Sequence, residues 1–375
     1  MKKVLLLTTM LIVSLSMFAQ QVDNAEYNRL KDFLTRQSAH SNKTNAQVLG
    51  IKDINNPTSW NGVKWNDGHL ASIMWRGYSL SGELDISNMS MLTVVDLSRN
   101  KLTSVNLSGC SKLKTLNVSN NHISNLTLTG CNSLTRLICY KNRLTTLNLA
   151  ELPAISYVNC GNNNFETFDA GASTTLQTLN IQSCNIAQLN VNGCISLLDL
   201  YCGYNKLTTI NLSDVPRLSN LNVDSNNIEQ LTLTNMTKLQ TLYCSNNNMV
   251  YFSIYDSPLL THLDCSYNSL RKIDIEECDY LSFIDCSYNN LDDLNLSNRT
   301  LLQHVDCSNN SISTLNVSIC PSLIYLNCRQ NPILNLYTYG DVNLRMVLTP
   351  WNEWGPGYMP NTMMPPPPPP YMGFR

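Results

Sequence analysis

Residues 260–322 write one pattern three times: LTHLDCSYNSLRKIDIEECDY, LSFIDCSYNNLDDLNLSNRTL and LQHVDCSNNSISTLNVSICPS. The step is 21 residues, from Leu260 to Leu281 to Leu302. The same step reaches back through Leu239, Leu218, Leu197, Leu176, Ile155, Leu134 and Leu113 to Leu92, and forward to Leu323. Twelve regular units therefore run from Leu92 to Asn343, preceded by a degenerate 22-residue unit that begins at Leu70. A unit this short cannot bury its own apolar face. It must stack on its neighbours, so the period dictates an elongated array in place of separate globular cores.

Within a unit the template is L-x-x-L-x-C-x-x-N-x-L-x-x-L-x-L followed by five variable residues. Position four is aliphatic throughout, from Val95 to Leu326. Position six is Cys in eight units (139, 160, 202, 244, 265, 286, 307 and 328) and Leu97, Val118, Ile181 or Val223 in the rest. Position nine is Asn in eleven of twelve, with Cys184 the exception. The L-x-C stretch alternates inward and outward as a strand does, so stacked units build a parallel sheet. The asparagine falls where the strand turns, and its inward amide can satisfy backbone groups of adjacent coils that would otherwise be buried unpaired. A second L-x-L, as in Leu294-Asn295-Leu296, predicts a short extended segment on the opposite side. Extended chain on both sides repeats at about 4.8 Å per coil, which predicts gentle curvature.

This template resembles the 21-residue leucine-rich-repeat class of internalin-J-like bacterial surface proteins, including their ladder of cysteines. The resemblance spans Leu70 to about Asn343. It implies a leucine-rich-repeat solenoid with one parallel strand per coil on the concave face and a surface used for binding; it names no ligand.

The ends read differently. Residues 1–19 have the layout of a secretory signal: Lys2 and Lys3, an apolar run from Val4 to Phe18, then Ala19–Gln20 as a cleavage point. The first cysteine is Cys110, so a lipid anchor at the cleavage point is not expected. Residues 20–69 form a predicted N-terminal cap. In it Asp23 or Asn24 caps a helix with Tyr27, Leu30, Phe33 and Leu34 on one face, and a Trp60-to-Trp65 hairpin turns at Asn66-Asp67-Gly68. This combination resembles the caps of extracellular leucine-rich-repeat proteins, and its tryptophans suit burial. Residues 344–375 comprise a closing segment, in which Leu344 to Leu348 suggests a last strand, and a tail with an unbroken run from Pro365 to Pro370.

Composition narrows the function. A net charge of -2 argues against electrostatic capture of nucleic acid or of an anionic membrane. Fourteen cysteines in an exported chain ordinarily suggest disulfides. Here the ladder position is filled by Val, Ile or Leu in sister units, so buried free thiols are expected, and a one-dimensional row gives no tetrahedral metal cage. No glycine-rich phosphate loop, nucleophile elbow or metal-ligand motif accompanies the five histidines. No cofactor and no catalysis are expected.

The outward positions carry the binding candidates. Asp264, Asp285 and Asp306 share position five with Tyr201 and Tyr243; His262, Phe283, His304 and Tyr325 share position three; Tyr267 and Tyr288 share position eight with Tyr204. An acid row at strand spacing can pair with a basic partner or hold a cation weakly, and is equally a solvated row, because Asn fills the same column elsewhere. Aromatics on an open sheet are common anchors of binding surfaces. The expectation is an exported protein, secreted, periplasmic or at the cell surface, that binds another protein or adheres through its strand face. The alternatives are a glycan-binding module that stacks sugars on the tyrosines, or a hydrolase using the acid row.

Overall fold

The computed structural model describes residues 22–350, apart from Ser41, Ala172 and Glu276, together with the backbone at Glu353–Trp354. The signal segment 1–19, Trp351 and the Pro-rich tail lie outside the described residues. The chain divides into two compact units, Met1–Phe165 and Glu166–Arg375.

The first unit opens with the expected lid. Helix α1, Asn24–Thr35, is capped by Asp23, whose side chain accepts from the backbone N–H groups of Ala25 and Glu26. It buries Leu30, Phe33 and Leu34. A one-turn helix α2, Asn45–Val48, begins with a reciprocal capping box between Thr44 and Gln47. The tryptophans pack as structure: Trp60 stacks on Tyr27 at 5.7 Å, and the fully buried Trp75 stacks on Phe33 at 6.2 Å. The Trp75 indole N–H is satisfied by the Asn61 carbonyl at 2.9 Å. Strand Val63–Asn66 pairs antiparallel with His69–Met74, and from there every partner is parallel: Val94–Asp96, Thr115–Asn117, Arg136–Ile138 and Tyr157–Asn159. Strands Ser81–Asp85, Lys101–Asn106 and Asn125–Thr127 form the sheet on the other side.

The second unit repeats the plan without the lid. Its main sheet runs from Thr178–Asn180 through Asp199–Tyr201, Asn220–Asn222, Thr241–Tyr243, His262–Asp264, Phe283–Asp285, His304–Asp306 and Tyr325–Asn327 to Met346–Leu348. The predicted closing strand is therefore present, and Glu353–Trp354 pairs antiparallel with it. Register follows the 21-residue step, as in Phe283 opposite His304. Nearly every three-residue strand buries its middle residue and leaves its flanks partly exposed, the period-two pattern of a one-sided sheet. The reverse sides carry short parallel strands, for example Asp293–Asn295, Thr314–Asn316 and Asn335–Tyr337.

What joins coil to coil is the position-nine amide. The Nδ2 of Asn289 donates to the Cys286 carbonyl of its own coil at 3.1 Å and to the Cys265 carbonyl of the coil before at 3.0 Å. Its Oδ1 accepts from the Leu270 N–H at 3.0 Å. The same three bonds recur at Asn121, Asn142, Asn226 and Asn331, among others. One side chain thus satisfies three backbone groups that the turn removes from water.

A second bridging column sits at position nineteen. The thiols of Cys110, Cys131 and Cys320 donate to carbonyls of the preceding coil at 3.1, 3.3 and 3.2 Å, on Ile86, Leu107 and Leu296. Arg299 reaches the Ile275 carbonyl from the same position at 2.8 Å. In the last full coil the position is Asp341, a carboxylate where most sisters place Cys, Ser or Arg and the rest an apolar residue. Its Oδ1 accepts from the Cys320 N–H at 2.7 Å, and its buried Oδ2 has no hydrogen-bond partner. Burial pushes the Asp341 carboxyl up to about 7, against the pull of that N–H.

Two predictions follow from these columns. Asn289→Ala should cost roughly 3 kcal/mol or more in urea denaturation, because an orphaned buried backbone group costs about 1–3 kcal/mol and three are orphaned. Substitution of its exposed neighbour Asn290 by Ala should stay within about 0.5 kcal/mol. For Asp341 the folded pKa lies above the unfolded one, so its contribution to stability is full below about pH 4 and is lost as pH rises through 7. Asp341→Asn, which restores a donor without a charge, should raise the melting temperature at pH 8 and flatten its dependence between pH 4 and 7.

Candidate functional site

The predicted site residues all lie in the second unit, on or beside its main sheet. Position three holds two different ladders in succession. From Thr178 to Thr241 it is a hydrogen-bonded polar row. Thr178 donates to Asp199 at 2.9 Å, Asn220 donates to Asp199 at 2.6 Å, and Thr241 donates to Asn220 at 2.6 Å. The next four residues are rings, and they stack. His262 lies over Phe283 with centroids 5.6 Å apart, Phe283 over His304 at 4.7 Å, and His304 over Tyr325 at 4.2 Å, with interplanar angles of 13°, 13° and 6°. In-register parallel strands bring like positions to about 4.8 Å, close to the thickness of a stacked ring pair, so the stack follows from the sheet spacing. Each contact contributes about 0.5–1.5 kcal/mol beyond area burial. Burial within the column holds the His304 imidazole below its usual value, despite the opposing pull of Asp306 and Asp285. His304 is therefore neutral near pH 7.

Position five is the acid row, and each carboxylate is engaged through its Oδ1. The Oδ1 of Asp264, Asp285 and Asp306 accepts from both the N–H and the hydroxyl of the serine two residues on: Ser266, Ser287 and Ser308, at 2.6–3.0 Å. Asn117 makes the same turn with Ser119. The row thus begins as a device that ends the strand, which is why Asp and Asn exchange freely in this column. Burial raises Asp264 and Asp285 above the usual carboxylate range, and neighbouring carboxylates add to the effect. On Asp306 the second oxygen accepts from Asn327 at 2.8 Å. At the start of the row Tyr201 is half-buried and Tyr243 is 37% exposed.

Position eight adds what the sequence pattern did not reveal. In all twelve regular coils this residue is left-handed, with φ between 52° and 58°. Asn fills it at 120, 162, 246 and 309, as expected of a side chain that tolerates this region. Tyr204, Tyr267 and Tyr288 do so as well, where a bulky side chain costs about 1–2 kcal/mol. Tyr267 and Tyr288 then stack on one another at 4.3 Å and 9° while staying 54% and 46% exposed. Their signal in the sequence was only the recurrence of Tyr two residues after the ladder cysteine. The polar row at position three was likewise missed, although T-D-N-T down one column reads as alternating donors and acceptors.

The thiols are not part of a reactive site. All fourteen are buried thiols outside any disulfide. Burial pushes Cys244, Cys265, Cys286 and Cys307 well above the ordinary thiol value, and Cys328 up to about 12. A thiol so held is a small apolar filler, not a nucleophile or a metal ligand. Among the described residues no group of three or more His, Cys, Asp or Glu side chains is placed to hold a metal ion.

The coil register, the thiol column and the asparagine column together decide the kind of protein. The fold is a leucine-rich-repeat solenoid. A family model described as Leucine Rich Repeat matches residues 112–134. The functional domain of InlJ from Listeria monocytogenes, described as including a cysteine ladder, is similar at 27% identity and TM-score 0.54, over 70% of this chain and 66% of that one. The match thus spans just under two thirds of the InlJ structure. A chain of the LRIM1/APL1C complex is similar at 25% identity and TM-score 0.52, over 62% of this chain and 47% of that one. YopM of Yersinia pestis, at 22% identity and TM-score 0.56, over 71% of this chain and 76% of that one, shares the fold. No curated protein matches the chain.

Thiol labelling tests the ladder reading. An aromatic disulfide reagent at pH 8 should modify no thiol quickly in the folded protein and all fourteen in denaturant; rapid labelling of the folded chain at Cys265, Cys286 or Cys307 would contradict it.

Proposed function

We propose that this leucine-rich-repeat protein acts outside the cell, binding a protein partner through the strand face of its second unit, and that it is not an enzyme. The observation that carries the reading is the pair Tyr267–Tyr288. Two exposed phenols are held in a backbone region that disfavours them, at a position where Asn serves the fold better. Strain kept at an exposed aromatic is a mark of selection for contact. The ring column from His262 to Tyr325 lies along the same strands and supplies rigid, partly exposed edges at little entropic cost. The Asp row between adds polarity, and Tyr201 and Tyr243 extend the surface toward earlier coils.

A leucine-rich-repeat scaffold suits such a role, and the related chain of the LRIM1/APL1C complex is itself part of an assembly. Export rests on the leading segment 1–19, with its two lysines and apolar run. No helix among the described residues is long and apolar enough to cross a membrane. The glycan reading has the narrower support. Sugar rings stack on open aromatic faces, and here Phe283 and His304 have both faces covered by neighbours and Tyr267 and Tyr288 one each.

The test replaces Phe283 and Tyr325 together by Ser. Sister coils carry Thr, Asn or Asp at this position, so the fold accepts a small polar residue there. Capture of extracellular proteins by photo-crosslinking from the strand face should fall at least about tenfold, equivalent to about 1.4 kcal/mol. Melting should shift by no more than a few degrees. Undiminished crosslinking to the same partner would place the contact elsewhere on the molecule.

A further inference from the structure

The three carboxylates stand in register on neighbouring strands, Asp264 opposite Asp285 and Asp285 opposite Asp306. Their spacing is about 4.8 Å, at which like charges repel. The charges that bear most on Asp285 are the other two carboxylates. Among the described residues the ion pairs join Arg36 to Asp32, His69 to Glu26 and Arg299 to Asp279, and none reaches the row. Each Oδ1 is taken by a serine, whereas the Oδ2 atoms of Asp264 and Asp285 carry no such bond. The row is bordered by aromatics on both sides. Tyr325 at position three is held up in pKa by burial and then by the nearness of Asp306, against the pull of Arg329; Tyr267 at position eight is held up by burial, then by its neighbour Tyr288, and after that by Asp285 and Asp306.

The chain itself shows what such a column accepts. In the first unit, position three holds Arg136 beside Tyr157, and the Arg136 guanidinium lies over the Tyr157 ring with its central carbon 3.7 Å from the centroid. A guanidinium therefore takes the place of a ring in this stack. The second unit has the rings and, beside them, unneutralised carboxylates, but no arginine at position three to complete the set.

We infer that the strip formed by the ring column, the acid row and the Tyr267–Tyr288 pair binds arginine side chains presented by an extended segment of a protein partner. This rests on the partner-binding reading above and names the chemistry of that partner. Alternate residues of an extended segment are about 6.8 Å apart, so two arginines separated by one residue fall within the roughly 10 Å covered by the three carboxylates. Arginine is favoured over lysine for a physical reason. Its planar, weakly hydrated cation stacks on aromatic surface while donating to a carboxylate, whereas an ammonium is a compact, strongly hydrated charge.

The fold supplies a conservative variant for the test. Asn occupies position five at 117, 159, 180, 222 and 327, and Asn117 makes the same serine turn, so the triple variant D264N/D285N/D306N removes charge and keeps the turns. Fluorescence anisotropy is measured on the whole protein with three labelled nine-residue peptides carrying Arg, Lys or Gln at alternate positions among serines. The arginine peptide should bind at least about fivefold tighter than the lysine peptide and the glutamine peptide not measurably. The triple variant should weaken the arginine peptide about tenfold or more, about 1.4 kcal/mol, with an unchanged melting curve. Equal binding by wild type and triple variant, lysine binding as tight as arginine, or no arginine binding would each overturn the inference. A crosslinked partner lost from the Phe283/Tyr325 double variant but retained by the triple variant would sink the arginine claim alone and leave the partner-binding reading standing.

Discussion

The structure depends on the cost of leaving backbone groups dry and unpaired. Every coil turns sharply at the end of its main strand, and in a stacked array that turn is shielded from water. The position-nine asparagine meets the need with one amide carrying two donors and one acceptor. No other side chain of similar size offers that combination. Leucines could fill the interior in many registers. The asparagine, which must reach carbonyls of two successive coils at once, admits one register. Hydrophobic burial thus supplies most of the driving force, and the amide supplies the uniqueness.

Much of this was legible in the chain itself, because a period repeated twelve times lets each coil calibrate the others. That Cys265 faces inward could be read from Val223 and Ile181 in its column; that Asn289 turns inward could be read from the backbone groups any turn there would strand. The helix behind Asp23, the returning strand after the Trp hairpin and the closing strand near Leu348 also showed through ordinary capping, turn and alternation signals. The outward columns were harder to read. Alternation says only that Phe283 and His304 point out, and it does not say that their rings lie flat on each other. That outcome depends on side-chain rotation, for which no pattern of residue types gives a rule. The left-handed backbone at Tyr267 and Tyr288 was hidden for another reason: the usual markers of that conformation are Gly and Asn, and here the markers are overruled.

The two outward columns divide the labour differently from what their composition suggests. The Asp row looks like the functional element and proves partly architectural, since its serine partners shape the strand exit. The tyrosines look like ordinary surface residues and sit where the fold gains least from them. Contribution to folding thus falls along the four residues from position five to position eight of each coil. Because Asp and Asn are equivalent to the turn, charge along the ribbon is free to vary without penalty to the scaffold.

The asparagine bridges also have a direction. Each one reaches backward, so a coil's turn is finished only when the following coil arrives to cap it. On a ribosome, where the amino-terminal end emerges first, the growing array always carries one incomplete turn at its leading edge and a settled body behind it. Assembly therefore follows translation one coil in arrears, and the lid around Trp75 serves as the template on which the first rung sets.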